Sequence, residues 1–284
     1  MPTFYNQATL SYNGMTTTSN TTTGELVDVL SVSKNTLVSS YTAGQNLTYV
    51  ITLVNTGTTA FTDLTLADNL GSYTLNTLTL VPLTYVTGSI QYYVNGTLQA
   101  TLTPTSASPL TVTGISVPAG GNAVIAYEAQ VNTYAPLDVG DTVENTVTVS
   151  GTGLSSAVTA TATVTSALDP TLTISKSLSP TTVSENGQIT YTFIIENSGN
   201  TEADATADVA VADTFNPVLN PISVTLNGTA LTAGTGYTYD ITTGVFATVA
   251  GVITVPAATY TQDTTTGEWS IVPGTSVLIV TGTV

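Results

Sequence analysis

Lys34 and Lys176 are the two basic residues of a 284-residue chain that carries 18 acidic residues and no histidine. In a strand, every second side chain shares a face. That count puts Lys34 of LSVSK with Leu30 and Val32, and Lys176 of LTISK with Leu172 and Ile174. It puts Asp68 with Leu64 and Leu66, Asp213 with Val209 and Val211, Asn145 with Val147 and Val149, and Asn6 with Ala8 and Leu10. A lysine, an acid and an asparagine aimed into an apolar interior are the set needed for a spontaneous amide link between side chains. Burial lowers the lysine pKa, so a neutral amine can attack the carboxamide, and raises that of the acid, so it can supply a proton. The same set also suits a buried Lys–Asp ion pair with the asparagine as hydrogen-bond partner, or lysines that snorkel to solvent. In the linking reading, Lys34 joins Asn145 with Asp68 assisting, and Lys176 with Asp213 joins Asn6 of the next copy of the chain.

Those residues recur because the chain repeats itself. LSVSKNTLVSSYTAGQNLTYVITLVNTGT (30–58) lies over LTISKSLSPTTVSENGQITYTFIIENSGN (172–200) without a gap, matching Lys34 to Lys176, Tyr49 to Tyr191, Asn55 to Asn197 and Gly57 to Gly199. LTLADN (64–69) matches VAVADT (209–214), and VPAGGNAVIAYEAQV (117–131) matches VPGTSVLIVTGTV (272–284). The first copy then continues through NTVTVSGTGLSSAVTATAT, for which the second has no counterpart; NQATLSYNGMTTTSNTTT near the amino terminus resembles it, with Asn6 at the place of Asn145.

The elements that carry these residues are strands. LTYVITLVN, AVIAYEAQV, TVENTVTVS, ITYTFIIEN and TSVLIVTGTV alternate or run apolar over strand lengths between Gly, Pro, Asn and Asp turns, and VNGT and LNGT are Asn-Gly hairpin turns. The expected fold is all-β: two tandem immunoglobulin-like antiparallel sandwiches over 29–168 and 169–284, the second lacking its closing strands, behind a 1–28 donor-strand extension. A sandwich short of a strand exposes an apolar groove and a row of unpaired backbone groups. Donation of Phe4, Asn6, Ala8, Leu10 and Tyr12 to the next molecule would repair it, and repeated head-to-tail it builds a filament. Two other fates are open to the segment: folding back onto its own second domain, or remaining a disordered leader.

Composition narrows the function. A net charge of −16 with two basic residues leaves nothing to grip phosphates, so neither nucleic acid nor an anionic membrane is an expected partner. Without histidine or cysteine there is no ordinary general base, no thiolate metal site and no disulfide framework. No enzyme activity, cofactor or metal is expected. Acidic stretches such as LDVGD (137–141) and EADATAD (202–208) lack calcium-loop spacing and read as solvated loops. MPTFYNQATL has neither the basic nor the apolar region of a secretory signal, although a chain so rich in Thr and Ser and so poor in Lys reads as an exposed surface protein.

ISKSLSP, GQITYTFIIENSGN and VAVADTF resemble the bacterial surface-protein repeat family called domain of unknown function eleven. That pattern has a Lys near the first strand, Gly-x-x-(Ile/Leu/Val)-Thr-Tyr, Asn-x-Gly, an Asp before a turn, and a closing Asn-x-(Ala/Val) strand followed by Ser-Asn. Residues 30–165 look like a complete copy, 172–284 like one without its end, and 4–22 like that end, with Ser19-Asn20. The resemblance implies a structural protein of a cell or spore surface, with spore appendages among its relatives. The reading that follows is a fibre subunit whose partners are copies of itself; the alternative is a monomeric adhesin or wall-associated binding module.

Overall fold

The computed structural model describes residues 3–25 and 28–284. The expected all-β architecture is present: apart from a single 3-10 turn at Ala205–Ala207, every described regular element is a strand. No described helix is long and apolar enough to cross a membrane. The chain divides into two compact units, Met1–Pro136 with Thr142–Thr165, and Leu137–Asp141 with Ser166–Val284. The short segment 137–141 thus groups with the second unit, where Ser166 Oγ donates to Asp138 O and Asn200 Nδ2 to Leu137 O.

The first unit is a sandwich of two six-stranded antiparallel sheets. One holds the Lys34 strand (Leu30–Thr36) at its edge, beside Asn46–Asn55, then the Tyr127 strand (Asn122–Val131). The other places the Asp68 strand (Phe61–Asp68) between Leu110–Val117 and the Asn145 strand (Thr142–Ser150), which continues into its hairpin mate Val158–Ser166. Alternation sets the core: Leu47, Tyr49, Ile51 and Leu53 are fully buried from one strand, and Val147 and Val149 face them from the opposite sheet. Each such side chain contributes roughly 1.5–3 kcal/mol relative to exposure.

The second unit repeats the first sheet and only part of the second. Its Lys176 strand (Leu172–Ser179) pairs with Gln188–Asn197, which pairs with Gly274–Thr283. Opposite lies a three-stranded sheet in which the Asp213 strand (Ala212–Thr214) pairs with Val245–Thr248. The alternation of VAVADT forecast a longer strand here; only Ala212–Thr214 pairs, because Val211 N donates instead to the Thr248 hydroxyl. Among the described residues no strand occupies the other side of the Asp213 strand, the side where the first unit has the Asn145 hairpin. The Lys176 strand consequently shows its apolar face, with Leu172 37% and Ile174 57% exposed, whereas Leu30 at the matching position is buried.

Both units close one end with the same asparagine clasp. Asn55 Nδ2 donates to Thr59 O (2.8 Å) and Pro118 O (3.0 Å), while its Oδ1 accepts from Gly57 N (2.9 Å). Asn197 repeats this with Thr201 O (2.7 Å), Pro256 O (3.1 Å) and Gly199 N (2.9 Å). Glycine is required at 199, where an added Cβ would lie 2.1 Å from the Asp169 carbonyl oxygen. Removing the clasp strands several buried groups, each costing about 1–3 kcal/mol. Asn55→Ala is therefore expected to destabilise the first unit by about 3 kcal/mol, read as a shift of its urea midpoint with an unchanged m-value.

Candidate functional site

The structure brings together the three residues singled out in the first unit. Lys34 sits opposite Ile51 in its sheet, and Asp68 ends its strand opposite Leu110 and Val147, two residues along from Asn145. Alternation aims all three inward, and Lys34, Asp68 and Asn145 are all buried. Lys34 Nζ donates to Asp68 Oδ2 at 2.6 Å, with both side chains 0% exposed. The other carboxylate oxygen accepts from Leu70 N at 3.0 Å.

A fourth residue joins them. Tyr127 Oη donates to the same Asp68 Oδ2 at 2.8 Å and accepts from Asn145 Nδ2 at 2.9 Å. An ionised carboxylate can only accept, so the phenol must point its hydrogen at Asp68 and offer its oxygen to the amide. That orients Asn145, leaving Oδ1 buried without a hydrogen-bond partner. Tyr49 stacks on Tyr127 with centroids 5.5 Å apart, and Lys34 Nζ lies 4.8 Å from the Tyr49 ring centre. Tyr49 Oη lies against the same Asn145 amide. Sequence reasoning missed Tyr127. The signal was there in AVIAYEAQV, where a buried-face alternation of Ala123, Ile125, Tyr127 and Ala129 includes one hydroxyl that needs a partner.

Electrostatics follow from burial. Loss of water around Lys34 brings its pKa down to about 8, an effect that outweighs the attraction of Asp68. Burial first, and the Asp68 charge second, hold the Tyr127 phenol well above its ordinary range. The pocket therefore contains an amine that can be neutral near physiological pH, hydrogen-bonded to an acid, in a site that also holds a carboxamide.

The second unit has the pair without the enclosure. Lys176 Nζ donates to Asp213 Oδ2, but the two side chains are 41% and 18% exposed. The lysine rests among aromatic faces, 4.6 Å from the Tyr191 ring centre and 5.7 Å from that of Phe215. Register identifies the counterpart of Tyr127: Tyr127 is paired with Tyr49, and Val280 with Tyr191. No phenol occupies that place, and no asparagine of this unit stands where Asn145 does.

Residues 3–25 fold as a hairpin of their own, Thr3–Asn6 pairing with Thr22–Glu25 and Thr9–Tyr12 with Met15–Thr18. The single NQATLSY strand expected from alternation is broken at Gln7 and Ala8, where Ala8 N donates to Ser19 Oγ and Gln7 Nε2 to Ser19 O. Its tip is an Asn13-Gly14 turn with positive φ at both residues. Phe4, Asn6, Ala8, Leu10 and Tyr12 are all exposed, Phe4 by 56% and Leu10 by 61%. No described strand of this segment pairs with a sheet of either sandwich.

Two outcomes follow for the paired lysines. Lys34→Ala leaves Asp68 charged in a sealed pocket and should cost about 3–5 kcal/mol, whereas Lys176→Ala, at an exposed pair, should cost about 1 kcal/mol or less. Peptide-resolved hydrogen exchange in urea separates the two units. Where Lys34 is unlinked, its folded pKa of about 8 lies below the unfolded value of 10.5. Between those values the unfolded chain holds a proton that the folded chain has lost, so the first unit gains stability as pH rises through that window. Lys34→Met should remove that slope.

No family model and no curated protein matches the chain. Among solved structures, the major pilin subunit of Bacillus cereus is similar at 11% identity and a TM-score of 0.36, over 95% of this chain and 73% of that one. The pilus backbone of Streptococcus pneumoniae is similar at 13% identity and 0.35, with 86% of this chain spanning 55% of that one. The collagen-binding subdomain of an Enterococcus faecalis surface protein matches 50% of this chain and 99% of its own length, at 7% identity and 0.32.

Proposed function

We propose that the chain is a structural subunit of an extracellular fibre at a cell or spore surface. Subunits join head to tail when the 3–25 hairpin of one inserts beside the Asp213 strand of the next. One observation carries this reading. In the first unit, the hairpin beside the Asp68 strand pairs Thr142 with Thr165, Val143 with Val164, Glu144 with Thr163 and Asn145 with Ala162. The amino-terminal segment likewise forms a two-stranded hairpin with an asparagine in its first strand, pairing Phe4 with Gly24, Tyr5 with Thr23 and Asn6 with Thr22, so that Asn6 lies 16 residues from its partner where Asn145 lies 17 from Ala162. The donated element is thus a two-stranded hairpin rather than a lone strand.

Seated as its counterpart is, the hairpin sets Ala8 opposite Asp213, as Val147 is opposite Asp68, and brings Asn6 to the Lys176–Asp213 pair. The exposed faces of both partners become buried together: Phe4, Ala8 and Leu10 against Leu172 and Ile174. At roughly 1.5–3 kcal/mol per large apolar side chain, this supplies a substantial driving force before any covalent step. The contact is heterologous, so repetition yields a filament unless the rotation closes a ring.

The same chemistry then locks the chain. The neutral amine of Lys34 attacks Cγ of Asn145, a carbon–nitrogen bond forms, the Asn145 Cγ–Nδ2 bond breaks and ammonia leaves. Lys176 does likewise with Asn6 of the incoming subunit. The test uses the full chain beside a variant lacking residues 1–25, examined by negative-stain microscopy and denaturing gels. Filaments that persist as a ladder after boiling in detergent are expected for the full chain, and monomers for the truncation. Asn6→Ala should still form filaments but run as a monomer on the gel. Monomers from both chains, or filaments without residues 1–25, would overturn donation. A mass lower by one water, instead of one ammonia per link, would move the electrophile from the asparagine to the aspartate.

A further inference from the structure

We propose that Tyr127 is the proton relay that lets the first unit link Lys34 to Asn145, and that its replacement by Val280 makes the second unit's site intrinsically slower. This rests on the linking reading above and adds a residue and a route to it. Three hydrogen bonds form a continuous path: Lys34 Nζ to Asp68 Oδ2, Tyr127 Oη to the same oxygen, and Asn145 Nδ2 to Tyr127 Oη. One end of the path is the attacking nitrogen and the other is the leaving nitrogen. Carboxamides are poor electrophiles chiefly because amide anion is a poor leaving group; expulsion needs a proton delivered to that nitrogen.

The carboxylate accepts from Lys34, Tyr127 and the Leu70 amide, whereas the Asn145 amide nitrogen donates to Tyr127. Tyr127 spans that gap. Nζ first passes a proton to Asp68, freeing the amine, which adds to Cγ of Asn145. The phenol then gives its proton to Nδ2 as it takes one from Asp68, so Tyr127 ends neutral and Cγ–Nδ2 breaks. The surplus proton of Nζ returns to Asp68 and leaves with ammonia as ammonium. Lysine ammonium and carboxamide become a secondary amide and ammonium, with no change of oxidation state. The phenol's position is enforced by full burial and by the stack on Tyr49.

At the second site the register that would carry the phenol carries Val280, and Asp213 accepts from Lys176 Nζ and Thr214 N. The link within a chain should therefore form before the link between chains.

Cell-free synthesis of the full chain, quenched with acid at intervals and read by intact mass, tests this. The native chain should lose one ammonia; Tyr127→Phe should do so at least about 100-fold more slowly, in line with the usual worth of general acid catalysis. Tyr85→Phe, which removes a hydroxyl that accepts from Gly88 N and lies off the path, should keep the native rate. Hydrogen exchange confirms that each variant is folded. Should Tyr127→Phe not fold, difluorotyrosine at 127 keeps the shape while acidifying the phenol, and the rate should respond. Equal rates for native and Tyr127→Phe chains, equal slowing by Tyr85→Phe, or indifference to fluorination would overturn the relay. A native chain that keeps its full mass would instead sink the linking reading, and the relay with it.

Discussion

A carboxylate held out of water governs this molecule. Asp68 has no exposure and must find every partner within the protein; it takes a lysine, a phenol and a backbone amide. An isolated charge in such a place is untenable, and an imperfectly partnered one costs several kcal/mol. The backbone amide is that of Leu70 in the turn that follows, but the lysine and the phenol come from two different strands of the facing sheet, so the two sheets must register correctly for the pocket to form at all. The ion pair therefore acts as a specificity device for the sandwich.

The second unit shows what that pocket needs. The same Lys–Asp pair is present, but without the hairpin that seals the first site the lysine is 41% exposed. Exposed pairs are screened and contribute little. Completing the sheet would supply three things together: the apolar cover, the backbone partners of the Asp213 strand, and the asparagine. Under the proposed donation, assembly and reactivity would be coupled, because the second site would be enclosed only when a hairpin fills it.

Much of this was legible in order of residues. Period-two alternation located the strands and placed Lys34, Asp68 and Asn145 on inward faces, since strand geometry leaves a side chain only two directions. The gapless match of 30–58 to 172–200 carried the asparagine clasp and the lysines from one unit to the other. The short Asp213 strand was less legible, because the Val211 amide chose the Thr248 hydroxyl, a partner 37 residues away, over a ladder bond. NQATLSY was read as one strand, yet Ser19 reaches across to the Ala8 amide and divides it.

By itself the sequence determined the strand content, the two lysine-bearing repeats, and the asparagine at position 6 that resembles Asn145. All of these depend on local periodicity or on residue counts. Only the tertiary structure decided which groups meet. Tyr127 entered the site because the strand that carries it crosses the core to touch both Asp68 and Asn145, a contact between residues 59 and 18 positions apart that no local pattern encodes. It likewise decided that residues 3–25 form a two-stranded hairpin, as Thr142–Ser150 and Val158–Ser166 do, because hydrogen-bond register belongs to paired strands and not to either strand alone.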